Sequence, residues 1–298
     1  LEFSIVVCSL NGERVLPACL ASVCRLAGHS FELIVVDNGS TDGTAGIVRR
    51  EAPGANLLQA GRNLGFAGGN NLGICASRGA IVVLLNDDTE VPPGWLDALS
   101  TPFRGNDRIG AVGCKLYYPG RRLLQHAGGV IHANANTSHL GYGEEDRGQW
   151  DKPCEVDYVT GAALALRRAA LAEVGLLDPG FFPIYFEEVD LQARLRRAGW
   201  KIRYEPSAWL VHHESQSQGV ASARFVYRYT RNRIRYLALN GFPGPLTAAL
   251  GEERRWFRKH VRAGLGWPAL KAYAVGLTRW PGWWLDRRTR RSVPRLGA

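Results

Sequence analysis

Across 298 residues there is no apolar run long enough to cross a bilayer, no C-x-x-C pair, no G-x-x-x-x-G-K-[ST] loop and no internal repeat. The first absence argues against a helical membrane-spanning protein. The second, with no zinc-like spacing elsewhere, argues against a metal-stapled fold. The third deprives a nucleotidyl- or phosphoryl-transfer enzyme of its lysine-bearing phosphate cradle. The six cysteines (Cys8, Cys19, Cys24, Cys75, Cys114 and Cys154) sit mostly in apolar runs and are expected to be reduced, buried thiols of a cytoplasmic protein. The opening Leu1-Glu2-Phe3-Ser4-Ile5-Val6-Val7 reads as the start of a strand, so no signal peptide is expected.

What is present is a chain with 46% hydrophobic residues, enough for a sizeable core. Its length suits one large α/β domain with an appendage, or two domains. Charge is unevenly spread. Residues 1–220 hold 20 basic and 24 acidic side chains, a net of −4, whereas residues 221–298 hold 17 and 3, a net of +14. The C-terminal stretch therefore calls for an anionic neighbour, nucleic acid or anionic lipid, or for heavy solvation. Arginine interleaves there with aromatics, as in Phe225-Val226-Tyr227-Arg228-Tyr229 and Trp280-Pro281-Gly282-Trp283-Trp284. That pattern suits stacking on single-stranded nucleic acid, a helix at a membrane surface, or a helical appendage packed on the rest of the chain; the membrane surface is preferred and nucleic acid is not expected.

The first part alternates strand and helix patterns. Apolar, β-branched runs at residues 3–9, 31–36 and 80–85 predict buried strands, with a weaker one at 56–60 and helices over 13–25 and up to about residue 50. A glycine-rich stretch runs from Gly61 to Gly73, and residues 110–160 read as irregular hairpins and loops. Residues 189–198 predict a helix, 200–204 and 208–211 short strands, and the rest a basic helical region interrupted at Pro243, Pro245, Pro268 and Pro281. Single helices between strands imply a parallel sheet, whose ligands bind beyond the carboxyl ends of the strands. Ser9, Asn11, Asp37, Arg62, Asn63, Asp87 and Asp88 all fall just after strands and are expected to converge there.

Asn86-Asp87-Asp88 is the densest chemical signal. Adjacent carboxylates repel unless a cation neutralises them, and oxygen ligands suit Mg²⁺ or Mn²⁺ that complete their shell with substrate phosphates. The plainer account is an exposed turn. Glu187, Glu188 and Asp190 open a helix whose end carries Arg194, Arg196 and Arg197, which macrodipole compensation explains in part. The aromatic run ahead of them, Phe181 to Phe186, provides an apolar wall that raises a carboxylate's pKa and makes it a better base. Trp209-Leu210-Val211-His212-His213-Glu214 ends a short strand in histidines able to ligate a metal or serve structurally. The glycine-rich run has the wrong spacing for a dinucleotide fingerprint, and the first strand ends in Cys8-Ser9-Leu10-Asn11 without a phosphate cradle.

Together these segments resemble the inverting family 2 glycosyltransferases of GT-A fold, over about residues 3–215. The resemblance rests on Ser4 to Asn11, Val35-Val36-Asp37-Asn38-Gly39-Ser40-Thr41-Asp42-Gly43-Thr44, Leu85-Asn86-Asp87-Asp88-Thr89, and Phe182 through His213. The run Asn63-Leu64-Gly65-Phe66-Ala67-Gly68-Gly69-Asn70-Asn71 resembles the rhamnosyltransferase and galactofuranosyltransferase branch in particular. The resemblance implies a Rossmann-like, mostly parallel sheet flanked by helices over residues 1–220, with a basic helical extension over 221–298. It implies that Asp37, with Ser9, Asn11, Arg62, Asn63 and Gly65, holds nucleobase and ribose, that Asn86 and Asp87 hold ribose or metal, and that Asp88 and His212 ligate the metal, His213 being the reserve. Glu188 aligns with the general base, although the family usually has Glu-Asp where this chain has Glu187-Glu188; Glu187 and Asp190 stand as neighbours able to share the role. The implied donor is a dTDP- or UDP-sugar, first of all dTDP-rhamnose. The implied acceptor is a glycan or polyprenyl-linked glycan met at the inner face of the membrane, with oligomeric state left open.

Overall fold

The computed structural model describes residues 1–213 and 222–296. Glu214 and the expected boundary between residues 220 and 221 lie outside the described residues. The first elements follow the predicted alternation: β1 (Phe3–Ser9), α1 (Leu16–Cys24), β2 (Phe31–Asp37), α2 (Thr44–Glu51), β3 (Asn56–Gln59), α3 (Gly65–Ala76) and β4 (Ile81–Asn86). Then come β5 (Thr89–Glu90), α4 (Trp95–Gly105), β6 (Ile109–Tyr117), β7 (Leu124–His126), β8 (Gly129–Ile131), β9 (Thr137–His139) and β10 (Cys154–Glu155). Next come β11 (Ala163–Arg167), α5 (Arg168–Val174), α6 (Glu187–Arg197) and β12 (Lys201–His212), and helices α7 (Ala223–Asn240), α8 (Leu246–Arg262) and α9 (Gly266–Asp286) follow.

The main sheet runs β10-β12-β6-β11-β4-β1-β2-β3. β1 is parallel to β2 and β4, β2 to β3 and β12 to β6, while β11 runs antiparallel to β4 and β6. Period-two alternation sorts the strand residues onto two covered faces. Ile5, Val7, Val35, Val83 and Leu85 pack with α1, α2 and α4, whereas Val6, Ile34, Val36, Val82 and Leu84 pack with α3, α5 and α6. This is the α/β, mostly parallel GT-A architecture that the resemblance implied.

Several local expectations change. The glycine-rich run becomes α3, a helix pressed so closely on the sheet that a Cβ at Gly73 would lie 2.3 Å from the Val6 side chain. Residues 109–117 are not irregular: β6 is a nine-residue strand buried along its whole length, while the following residues do form short hairpins. The two short strands around Pro206 are one strand, β12, whose pairing with β6 shifts register between Glu205 and Trp209; proline cannot donate to the ladder, so the irregularity falls beside it. Pro243 and Pro245 separate α7 from α8, but Pro268 sits in the first turn of α9 and Pro281 lies inside it. Cys19 and Cys114 are buried, whereas Cys24 and Cys75 are exposed.

The basic C-terminal helices are not a detached tail. Tyr236, Leu237 and Leu239 of α7 share a core with Phe181, Phe186, Val189 and Ala193 around the start of α6. Buried ion pairs tie the same regions: Arg235 to Asp178 at 2.8 Å and Arg290 to Asp190 at 2.9 Å.

Candidate functional site

Strand register brings the predicted residues to one sheet edge. Ser9 pairs with Asp37, and Cys8 pairs with both Val36 and Asn86, so β1, β2 and β4 end level. Ser9 Oγ donates to Asp87 Oδ2 at 2.5 Å. Asp37 is nearly buried and accepts from the Ser40 amide at 2.9 Å, closing the turn after β2. Asn11 Oδ1 accepts from the Thr41 amide at 2.9 Å and so holds the same turn from the other side. Gly39 lies directly against the backbone of Arg62 and Asn63, where an added Cβ would come within 2.5 Å. Asn63 Oδ1 accepts from the Gly65 amide at 2.7 Å. Gly65 has φ +73°, and an added Cβ would meet Phe182 and the Pro183 carbonyl at 2.8 Å, so only glycine fits where the two loops touch.

Asn86-Asp87-Asp88 is a built corner and not a free turn. β5 pairs antiparallel with the end of β12, Thr89 opposite His212, and the His213 amide donates to the Asp88 carbonyl at 2.9 Å. This crossing sets His212 Nε2 3.0 Å from Asp88 Oδ1. Successive residues of a strand point to opposite sides, so His213 turns away to Glu90, at 2.6 Å. Burial, reinforced by the Asp88 charge, pushes Asp87 up to about 6 against the pull of the Ser9 hydroxyl.

The other ring nitrogen of His212, Nδ1, lies 2.5 Å from Gln125 Oε1. An amide oxygen only accepts, so with the amide in this orientation Nδ1 carries the hydrogen and Nε2 presents its lone pair toward Asp88. Two acceptors 3.0 Å apart need a cation between them, a proton or a metal. The pair thus fits a divalent ion by donor chemistry and by the orienting bond typical of metal-binding histidine. Among the described residues no group of three or more His, Cys, Asp or Glu could hold a metal, so the remaining ligands would be phosphate oxygens and water.

Beside this corner is a cavity of about 480 Å³ lined by Asn86, His212, Glu187 and Glu188 together with Phe66, Tyr158, Tyr185, Phe225 and Tyr229. Glu188 is half-buried at its wall, and burial pushes its carboxyl up to about 7. Glu187 is almost fully buried; burial first, then the Glu188 charge, hold it well above the usual carboxylate range, and its Oε2 has no hydrogen-bond partner among the described residues. Asp190 belongs elsewhere, which corrects its inclusion among the candidate bases. It is fully buried away from the cavity, bound by Arg194, Arg290 and Asn240, whose donors hold it down to about 2.

Sequence reasoning missed four contributors. Gln125 gives no motif. Asn38 accepts from the Leu64 amide at 2.9 Å and donates to the Gly65 carbonyl at 3.2 Å, stitching two motifs together. Phe225 and Tyr229 come from α7, and Tyr229 accepts from the Thr137 amide at 2.8 Å, so the basic region walls the cavity. Their aromatic spacing was visible but pointed toward stacking or lipid.

Comparisons with known proteins bear on the family and the fold. The chain is 30% identical over 244 residues to the N-acetylglucosaminyl-diphospho-decaprenol L-rhamnosyltransferase of Mycobacterium tuberculosis, covering 74% of this chain and 78% of that protein. It is 36% identical over 227 residues to an uncharacterized protein of Sinorhizobium fredii, covering 72% of this chain but only a quarter (25%) of that longer relative. Among solved structures, the Pyrobaculum calidifontis mannosyltransferase PcManGT in complex with GDP-Man and Mn²⁺ superposes with a TM-score of 0.56 at 18% identity, over 97% of this chain and 73% of that one. GalNAc-T7 with UDP, GalNAc and Mn²⁺ does so with 0.61 at 15% identity, over 80% of this chain and 48% of that one. The family model for glycosyl transferase family 2 matches residues 4–175, and by that match and the mycobacterial relative this chain belongs to glycosyltransferase family 2.

Proposed function

We propose that this chain is a metal-dependent, inverting glycosyltransferase that moves rhamnose from dTDP-rhamnose to a hydroxyl of a polyprenyl-linked glycan during cell-envelope polysaccharide synthesis. The observation that carries the reading is a single cavity that joins a carboxylate raised to about 7, Glu188, to the Asn86–His212 corner. The relative's printed acceptor, a sugar on diphospho-decaprenol, supports the acceptor class.

In this reading the turn after β2 and the Arg62-Asn63 backbone hold base and ribose. Asp87 and Asn86 position the donor, and Asp88 with His212 would hold Mg²⁺ or Mn²⁺. When bound, the metal neutralises charge on the departing nucleoside diphosphate. Glu188 takes the proton of the acceptor hydroxyl as its oxygen attacks the anomeric carbon from the face opposite the nucleotide. The bond from that carbon to the phosphate oxygen breaks with its electron pair, and the centre inverts in one displacement. Glu187 beside it, held well above the usual carboxylate range by burial, resists carrying a second charge. The exposed apolar side chains of α8 and α9, among them Leu250 and Trp267, lie amid arginines and suit residence at the inner face of the membrane.

The test is transfer with dTDP-rhamnose and UDP-galactofuranose, each with Mg²⁺ and Mn²⁺, onto a polyprenyl-diphosphate-linked sugar. Rhamnosyl transfer with inversion, abolished by Asp88→Ala, is expected. Failure of dTDP-rhamnose to bind, or full turnover in Asp88→Ala, would overturn the proposal.

A further inference from the structure

A second cavity, of about 700 Å³, opens from the first. Thr137, Phe225 and Tyr229 line both. Its remaining wall comes from the hairpin around His132 and from one face of α8: Glu252, Arg255, Trp256, Lys259, His260 and Ala263, with Leu265 beyond. These positions repeat at three- and four-residue spacing, so the helix aims one continuous stripe into the space. The cavity's charge is cationic. Among the described residues Glu252 is its one carboxylate, and that carboxylate is engaged by the Asn134 amide at 3.0 Å. Among the described residues, Arg255 and Lys259 make no ion pair, in contrast to Arg233 of α7, which is neutralised by Glu253. Two adjacent cations that no carboxylate pairs with among the described residues are poised for an anion. His260 Nδ1 donates to the Trp256 carbonyl at 2.9 Å, and its ring lies against the Trp256 indole, tilted by 32° with centroids 3.9 Å apart, giving an aromatic floor.

The far end is apolar. Leu265 lines the cavity, and its neighbours Val261, Trp267 and Leu270 are exposed, Trp267 to 75%. Along one path the protein thus presents a base, an aromatic collar, a cationic pocket and an apolar lip. That is the order of parts in a lipid-linked acceptor: sugar hydroxyl, diphosphate, hydrocarbon chain.

We propose that this second cavity binds the diphosphate of a lipid-diphosphate-linked acceptor through Arg255 and Lys259, placing the acceptor sugar in the first cavity at Glu188. The inference rests on the glycosyltransferase reading for the sugar but not for the anion. The phosphate of a phospholipid headgroup and that of the acceptor share their chemistry, so the two sources need separate arms.

Isothermal titration of the full chain with farnesyl diphosphate and with farnesol tests the anion directly. Farnesyl diphosphate is expected to bind about tenfold or more tightly than farnesol, and Arg255→Gln/Lys259→Gln to erase that preference, the loss expected for hydrogen bonds to charged groups. Arg254→Gln, an exposed charge of the same helix outside the cavity, should leave it intact. Equal binding of the two ligands, or equal loss in Arg254→Gln, overturns the proposal. If the double variant instead loses only its affinity for vesicles of anionic phospholipid, the cations serve the headgroups and the proposal is likewise overturned. In transfer assays, the ratio of KM for a sugar-diphosphate-lipid to KM for the same sugar as an alkyl glycoside should rise about tenfold in the double variant. Absence of any transfer by the parent chain would sink the glycosyltransferase reading while the binding arm still decides the anion site.

Discussion

Glu188→Gln separates what this carboxylate does for chemistry from what it costs the fold. The folded chain holds the Glu188 proton up to about 7, whereas an exposed glutamate releases it near 4.5. Between those values the folded state binds more protons than the unfolded one, so this group's contribution makes stability fall as pH rises through the window. At about 1.4 kcal/mol per pH unit the upper bound is on the order of 3 kcal/mol, and water reaching the half-buried carboxylate lowers it. The isosteric amide carries no charge to desolvate. It should therefore be more stable than the parent in urea unfolding at pH 8, and match it at or below pH 4.5. Turnover should move the other way. A general base contributes roughly 10²–10⁴-fold, so kcat/KM should drop by that range. The parent's kcat/KM should rise with pH through about 7, as the base loses its proton, and the variant should lack that rise. A variant that keeps its turnover, or that gains the same stability at both pH values, would refute the reasoning.

Three further outcomes follow from other contacts. Gln125→Leu frees His212 Nδ1 and should weaken apparent Mn²⁺ affinity by about 10–100-fold, read as the metal concentration for half-maximal transfer; an unchanged value would remove Gln125 from the site. Asp190→Ala leaves Arg194 and Arg290 buried without their carboxylate and should cost about 3–5 kcal/mol in urea unfolding, with the KM for donor unmoved. Because Asp190 is held down to about 2, its stabilisation is present above pH 3.8 and lost as pH falls through about 2, which acid unfolding of parent and variant would show. Gly65→Ala forces a Cβ into φ +73° against Phe182 and Pro183, and should destabilise by about 1–3 kcal/mol while raising the KM for donor.

The strands that carry the edge were readable because buried parallel strands are near-continuous apolar runs. β1, β2 and β4 appear at the expected residues, and the polar residues after them converge as anticipated. β6 escaped for a physical reason. Its run Ile109–Tyr117 contains two glycines and a lysine, which break the pattern. Yet a Cβ at Gly113 would lie 2.3 Å from Val159, and Lys115 is neutralised by Asp146 and Asp151, so packing and ion pairing make both compatible with full burial. Asp190 looked like Glu187 and Glu188 in sequence because all three share one turn of helix. At about 100° per residue Asp190 lies about 200° round the helix from Glu188, which turns it from the cavity toward Arg194 and Arg290.

The sequence by itself determined strands β1, β2 and β4, the Asn86-Asp87-Asp88 motif that ends the last of them, and the family, because these are local patterns of apolar periodicity and turn chemistry. Only the tertiary structure set His212 beside Asp88, turned His213 to Glu90 and placed Asp190 among arginines away from the cavity. It alone found Gln125 behind the imidazole and folded the basic helices back as a wall of the cavity. Each of those depends on contacts between residues tens to more than a hundred positions apart, which no window of sequence contains.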